Sequence, residues 1–134
     1  MKDKVLYIVV IILCIVFLIW NVLGRRERIT YEYNTEEYSR VCKEYNLNDK
    51  GLFYDESLDK YFITLGLKNN GGYSIDVKRI NIDKKNNVSI IVKEKEPKAG
   101  DIVTMAFTCP TIELTFSEKP KSIVVSNTKG EKYK

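Results

Sequence analysis

The chain has 134 residues, with 22 Lys and Arg against 18 Asp and Glu, and its net charge is +4 at neutral pH. It contains no histidine, which excludes Ser-His-Asp and Cys-His catalysis and removes the commonest general base at neutral pH. Charges of both signs alternate along the chain, so no basic block predicts a nucleic-acid partner.

The N-terminal segment Val5–Leu23 carries no charged side chain, and its one strongly polar residue, Asn21, lies near its end. As a helix it would be about 28 Å long, close to the thickness of the hydrocarbon core of a bilayer. The apolar run also exceeds the ~7–15 residues of a signal-peptide core. We therefore predict an uncleaved anchor over residues 1–24, with a transmembrane helix at about 5–23 in contact with the lipid bilayer. Cleavage at the small-residue site Val22-Leu23-Gly24 is the alternative.

The flanking charges bear on the orientation of this anchor. Lys2 and Lys4 precede the apolar run, and Arg25, Arg26 and Arg28 follow it. Counting positive charges alone places the C-terminal side in the cytoplasm, whereas a short basic N-terminus before a long apolar stretch is typical of a signal-anchor. We expect a single-pass protein of the cell membrane with an extracytoplasmic C-terminal domain, and the reverse orientation is the alternative.

The residues just after the anchor predict a strand and then a helix. Ile29–Tyr33 alternates like a short strand. Asn34 is placed as a helix N-cap, and Glu37 completes a capping-box-like pair. Four residues then repeat at helical spacing, which predicts a packed helix over about 35–45: Tyr38, Val41, Cys42 and Tyr45.

Strand and turn signals dominate from Tyr61 onward. Asn69–Gly72 predicts a hairpin turn after the strand 61–67, and a change of parity at Lys78-Arg79 predicts a β-bulge. Two more turns are predicted at Asp83–Asn87 and Glu96–Asp101. The remaining predicted strands are 73–77, 88–92, 102–108, 112–116 and 123–125, with Cys109-Pro110 interrupting the pattern. The end of the chain, 129–134, is predicted to be a frayed tail.

These elements predict an α+β, mostly β fold. The N-terminal transmembrane helix is followed by a single β-rich domain over 25–134, a small antiparallel β-sandwich or open barrel with one packed helix. Cys42 and Cys109 lie outside the anchor, and two alternatives stand for them: a disulfide, or two buried thiols.

Motifs for chemistry are missing from the sequence. There is no phosphate loop, dinucleotide fingerprint or nucleophile elbow, and the cysteines do not provide a zinc set. We therefore predict that the protein is not an enzyme. We predict no catalytic, cofactor-binding or metal-binding residues and no small-molecule ligand.

An ordered set of short motifs carries a family resemblance: Leu65-Gly66, Gly71–Val77, Glu96–Asp101 and Thr108–Pro110. With these motifs, residues 61 to about 125 resemble the PrcB C-terminal domain family, found in accessory subunits of bacterial surface protease complexes. The resemblance implies a non-enzymatic domain of the cell envelope that helps to assemble or stabilise a protease. It also supports export of the domain. Thr111 departs from the family pattern, which usually has an aromatic residue there.

Three functions fit these observations. The first is a membrane-tethered accessory or assembly module that docks a partner protein, either a surface protease or an envelope complex. The second is a protease inhibitor that presents the 68–73 loop as a wedge, although a plain hairpin with Tyr73 packed on the sheet is the simpler interpretation. The third is a structural component of a membrane complex that pairs with its partner through Ile123–Val125 as an edge strand. The candidate contact residues are Lys68, Asn69, Asn70, Gly71, Gly72 and Tyr73.

Overall fold

A computed structural model describes residues 1–24 and 28–134. Arg25 and Arg26, two of the charges in the orientation argument, lie outside the described residues. The first element is the helix α1 (Lys2–Gly24), which buries none of its side chains. The length and composition of α1 are those of a membrane span, and also those of a signal sequence.

The rest of the described chain forms two β-sheets and one short helix. In chain order the elements are β1 (Tyr31–Glu36), α2 (Val41–Glu44), β2 (Gly51–Asp55), β3 (Lys60–Thr64), β4 (Ser74–Ile82), β5 (Asn87–Lys95), β6 (Thr111–Phe116) and β7 (Ser122–Asn127). One sheet has the strand order β1-β6-β3-β2, and the other has the order β4-β5-β7. The mostly β fold predicted from the sequence is confirmed.

The pairing of β5 with β7 is parallel, unlike the other strand pairs of the two sheets. The predicted antiparallel sandwich therefore contains one parallel pair. The cause lies in the chain path, because β6 follows β5 in sequence but belongs to the opposite sheet. The chain therefore crosses between the sheets twice before it reaches β7, and a parallel pair requires such a crossover.

The core lies between the two sheets and follows the two-residue period of the strands. The inward residues of β5 are Val88, Ile90 and Val92, and they meet Ile112 and Leu114 of β6. These five side chains are at most 1% exposed.

The bulge predicted at Lys78-Arg79 is confirmed, since the register between β4 and β5 shifts between Val77 and Arg79.

The predicted helix over 35–45 is mostly wrong. Asn34, assigned to a helix cap, is in β1 and pairs with Glu113, while Thr35 pairs with Ile112. The ladder to β6 outweighs the local capping signal, as tertiary context often does. Only α2 remains of the helix, and it buries Val41 and Cys42.

The predictions for two segments that connect the sheets are also wrong. Residues 69–72 do not form a hairpin turn, because β3 and β4 belong to different sheets and this segment crosses between them. Residues 102–107 do not form a strand either, and they run as a loop from the turn after β5 towards β6.

The C-terminal tail is ordered against the sandwich, so the prediction of a frayed end is wrong. Tyr133 is only 6% exposed, and its backbone N–H donates to the carbonyl of Val125 at 2.9 Å. The carbonyl of Lys134 accepts from the N–H of Leu52, also at 2.9 Å. The tail thereby joins the outer edges of β7 and β2 and closes that side of the sandwich.

A polar cluster around Glu94 fastens the tail. The carboxylate of Glu94 accepts hydrogen bonds from the hydroxyl of Tyr133 and, at 3.1 Å, from Nδ2 of Asn127. The ammonium of Lys50 lies 3.4 Å from the same carboxylate and also pairs with Glu131. Burial opposes ionisation of Glu94, but these hydrogen bonds and the Lys50 charge outweigh it and lower the pKa of Glu94.

This cluster predicts an acid-sensitive closure. The pKa of Glu94 in the fold lies below its ordinary value of 4.5, so its contribution to stability is complete above that value and is lost as the pH falls through the lowered pKa. We expect Glu94→Gln to reduce the free energy of unfolding at pH 7 by about 1–2 kcal/mol. Urea unfolding of the full chain in detergent, followed by circular dichroism, measures this.

The difference in the free energy of unfolding between wild type and Glu94→Gln should shrink as the pH drops below 4.5. Glu118→Gln, at an exposed position, is the control and should change little at any pH. A difference in the free energy of unfolding that is constant between pH 7 and pH 3 would contradict a stabilising role for the ionised Glu94.

Candidate protein-docking site

Among residues 28–134, the most exposed large apolar side chains belong to residues 101–107, which we call the tip loop. The exposed fractions are 103% for Ile102, 86% for Met105 and 71% for Phe107. Scattered apolar side chains are normal on a protein surface, but a cluster on one loop marks an interaction site. The tip loop is therefore the candidate site for a macromolecular partner.

The segment 68–73, predicted from sequence as the contact loop, lies beneath the tip loop and supports it. Lys68 and Thr108 exchange two backbone hydrogen bonds, at 2.8 and 2.9 Å. The N–H of Gly71 donates to the carbonyl of Thr104 at 2.9 Å. In addition, the hydroxyl of Thr108 donates to the carbonyl of Asn70 at 2.8 Å.

Gly71 and Gly72 are needed here for close approach, not for a tight turn. Neither has a positive φ. A Cβ on Gly72 would lie 2.5 Å from Cβ of Pro97 and 2.7 Å from Cγ1 of Val103, and a Cβ on Gly71 would lie 2.1 Å from Oγ1 of Thr104. The two glycines thus let the supporting segment pack directly against the chain that forms the tip loop.

The other predicted contact residues have mixed positions. Tyr73 is half-buried and packs against the core, while the ammonium of Lys68 lies 5.1 Å from the centre of its ring. Asn69 is exposed. The side-chain oxygen of Asn70 accepts the N–H of Gly72 at 3.0 Å, which shapes the segment from within. Direct contact between these residues and a partner stays a prediction.

A disulfide lies at the base of the tip loop. Cys42 is bonded to Cys109, with their Cα atoms 6.1 Å apart, and the N–H of Cys109 donates to the carbonyl of Glu37 at 2.8 Å. Beneath the bridge, Oγ1 of Thr111 lies 3.0 Å from Oγ1 of Thr64. Of the two alternatives open at the sequence level, the structure has the bridge, and it ties the segment around α2 to the start of β6.

The α2 segment is itself attached to the outer face of the sheet. The ring of Tyr45 lies 4.4 Å from that of Phe53, centre to centre, and its hydroxyl donates to the carboxylate of Asp55. Hydrogen bonds from Ser57 and from Tyr45 hold the pKa of Asp55 below its ordinary value. The disulfide therefore connects the tip loop to a segment that is fixed at both ends.

The tip loop lies at the end of β1 opposite to the end at which the described chain resumes after α1. The chain leaves α1 at Gly24 and enters the fold at Ile29, next to the start of β1. The tip loop and its supports meet the other end of β1, at Glu37 and Tyr38. Six strand residues separate the two ends, a distance of about 20 Å.

The sequence analysis predicted a strand in place of the tip loop. An exposed loop with apolar residues and a half-buried strand can show the same alternation of apolar and polar residues. The available signal was the neighbouring Cys109-Pro110, which separates the tip loop from the strand β6 that follows it.

No group of three or more acidic or cysteine side chains among residues 1–24 and 28–134 is placed to hold a metal ion.

Comparison with known proteins gives one match. The model of the PrcB C-terminal family matches residues 61–117, which confirms the resemblance seen in the sequence. The matched region runs from β3 through β6 and includes both the tip loop and the supporting segment, while β1, β7 and the tail lie outside it. No curated protein and no solved structure matches the chain.

The disulfide predicts a clear stability effect. Its two cysteines are 67 residues apart in the chain, and closing a loop of that size stabilises a fold by about 4 kcal/mol on loop entropy alone. We expect Cys42→Ser to lower the melting temperature of the full chain in detergent by roughly 10 °C or more. Thermal circular dichroism measures it.

Cys14→Ser is the matched control, since Cys14 is free and exposed on α1. Its melting temperature should equal that of the wild type. An unchanged melting temperature for Cys42→Ser, with the wild type shown to be oxidised by mass, would contradict the structural role of the bridge.

Proposed function

We propose, from the PrcB C-terminal region that this chain carries, that the protein is a membrane-tethered accessory module that docks a partner protein through its tip loop. α1 is the tether and is retained. A surface protease is the partner class that the family suggests, and the protein assists its assembly without catalysing a reaction. The chain divides into the anchor at 1–24 and a single β-rich domain at 25–134.

The exposure of the tip loop carries this proposal. Ile102, Met105 and Phe107 are 103%, 86% and 71% exposed. The tip loop that carries them is nevertheless held by backbone hydrogen bonds, two close-packed glycines and a disulfide at its base. A loop that is held this firmly loses little conformational freedom on binding. Preorganised apolar side chains of this kind are typical anchors of protein–protein interfaces.

A protein partner suits the tip loop better than lipid does. The tip loop lies about 20 Å along β1 from the end where the chain leaves α1, so a domain standing on its anchor directs the loop away from the bilayer. The tether still confines the domain to the membrane surface. That confinement raises its effective concentration for any partner attached to the same membrane.

Export of the domain is part of the proposal. Disulfides persist in oxidising compartments and are rare in the cytosol, and the bond between Cys42 and Cys109 therefore favours an extracytoplasmic location. The signal-anchor interpretation of the N-terminus favours the same orientation.

The other two functions find less support in the fold. An inhibitory wedge at 68–73 needs a protruding loop, whereas this segment lies beneath the tip loop. Strand addition at Ile123–Val125 needs a free edge, whereas the carbonyl of Val125 already accepts from Tyr133.

Docking is tested by charge substitution on the tip loop. We expect Met105→Asp and Phe107→Asp each to weaken association with the co-purified partner by about tenfold or more. Both side chains are exposed, so the melting temperature should not change. Association is measured by quantitative pull-down from membranes with the full-length chain, and the captured protein is identified by mass spectrometry.

Val124→Asp is the matched control, because Val124 is 47% exposed on β7, away from the tip loop. Docking through the tip loop is contradicted if Val124→Asp weakens association as much as the tip-loop variants do. Labelling of the tip loop by a membrane-embedded photoactivatable lipid would instead point to lipid contact.

The orientation is tested with an impermeant maleimide on intact cells. Cys42 and Cys109 are bonded and do not react, so a new thiol is placed at Lys129→Cys, an exposed position near the C-terminus. We expect labelling of Lys129→Cys without lysis, and labelling of Lys2→Cys only after lysis. The reverse pattern would place the domain in the cytoplasm.

A further inference from the structure

The two sides of the sandwich differ, and this difference points to how a partner is held. We propose that a partner segment in extended conformation, carrying Lys or Arg side chains, adds as a strand in the groove between the outer edges of β1 and β4. This inference rests on the proposed docking function and specifies its site and the chemistry of its ligand.

The side that contains β2 and β7 is closed by the chain itself. Tyr133 pairs with Val125, and Lys134 pairs with Leu52, so the tail occupies the position that an added strand would take. The opposite side contains β1 and β4. Among the described residues, β1 pairs with β6 and with no other strand, and β4 pairs in the same way with β5 alone.

A groove of about 640 Å³ lies between these two open edges at the end near the tip loop. One wall is the end of β1 with the following residues, 35–38, and the other is the start of β4 with its lead-in, 71–75. An edge strand presents a row of unpaired N–H and C=O groups. An extended peptide can satisfy such groups by adding one more strand to the sheet.

The charge of the groove sets the chemistry of its ligand. Its lining includes three acidic residues, Glu36, Glu37 and Asp101, and one basic residue, Lys95. This excess of acid contrasts with the net charge of +4 of the whole chain. Complementary charge fixes the register of a bound segment and excludes wrong partners, so the segment that fits is basic.

The tip loop adds an apolar element to the same groove. Ile102 and Val103 line its rim, and Ile102 is fully exposed. Side chains of an extended segment alternate between two faces. A segment that alternates basic and apolar residues therefore meets the carboxylates with one face and the rim of the tip loop with the other.

A second copy of this chain is a poor occupant. The edge of β4 carries the exposed charges Asp76, Lys78 and Arg79 and has its bulge at the same place. Charges and bulges on an edge strand are devices that prevent pairing between identical edges. The segment near Ser74 lies before them and stays accessible to a different chain.

The test is site-specific photo-crosslinking with the full-length protein in the cells that produce it. A photoreactive amino acid replaces Thr35 or Ser74, which line the groove, or, as controls, Val124 or Thr128 on the closed side. All four positions are exposed. We expect Thr35 and Ser74 to capture the same partner protein and the controls to capture none of it. Peptide mapping should place the crosslink in a segment with Lys or Arg at alternate positions.

Charge reversal gives the second readout. Glu37→Lys combined with Glu36→Lys should reduce the crosslink yield by about tenfold or more, and Glu118→Lys, outside the groove, should leave it unchanged. Replacing the mapped basic residues of the partner by Glu should restore the crosslink to the doubly reversed chain. The melting temperature of each variant checks that the fold is intact.

The outcomes separate this inference from the proposed function. Capture of the partner from the tip loop without the groove overturns the groove and leaves docking through the tip loop in place. Capture of the partner only from the closed side overturns both. Capture of lipid or of a second copy from Thr35 and Ser74 also overturns it, as does a mapped segment without basic residues. If no position on the domain, the tip loop included, captures a protein, both the groove and the docking function fail.

Discussion

The packing of residues 68–73 against the chain before β6 is the contact on which the exposed end of this protein depends. Lys68 and Thr108 form a short two-way backbone pair, and Gly71 binds Thr104 from below. The absence of a side chain at Gly72 lets this crossover lie against Pro97 and Val103. As a result, a loop that projects large apolar side chains into solvent is held by backbone contacts and not by a hydrophobic core of its own.

One side of the sandwich is closed by the C-terminal tail, and the other side has open strand edges. The tail closes one side through Tyr133 and the polar cluster around Glu94, whereas the side between β1 and β4 has no such closure among the described residues. The disulfide connects the base of the tip loop to α2 on the outer face. Fixed closure on one side and open edges on the other suit the proposed docking, because a partner can then bind without displacing part of the chain.

The family match covers most of the proposed docking surface. The matched region 61–117 contains the tip loop and its supporting segment, while one wall of the groove, the end of β1, lies outside it. The proposed docking surface therefore combines a part inside the matched region with a part outside it. Thr111, where the sequence departs from the family pattern, is buried beside the disulfide. Its hydroxyl donates to Oγ1 of Thr64.

The sequence by itself determined the features that depend on local periodicity: the apolar N-terminal helix, the mostly β class, the bulge near Lys78 and the strands β5 and β6. It also carried the family resemblance. Only the tertiary structure decided which strands pair, that Asn34 and Thr35 extend a strand, that the tail packs, and that 102–107 is an exposed loop. Periodicity reports which residues share a face, whereas pairing partners and exposure depend on contacts between residues far apart in the chain, and these leave no local pattern.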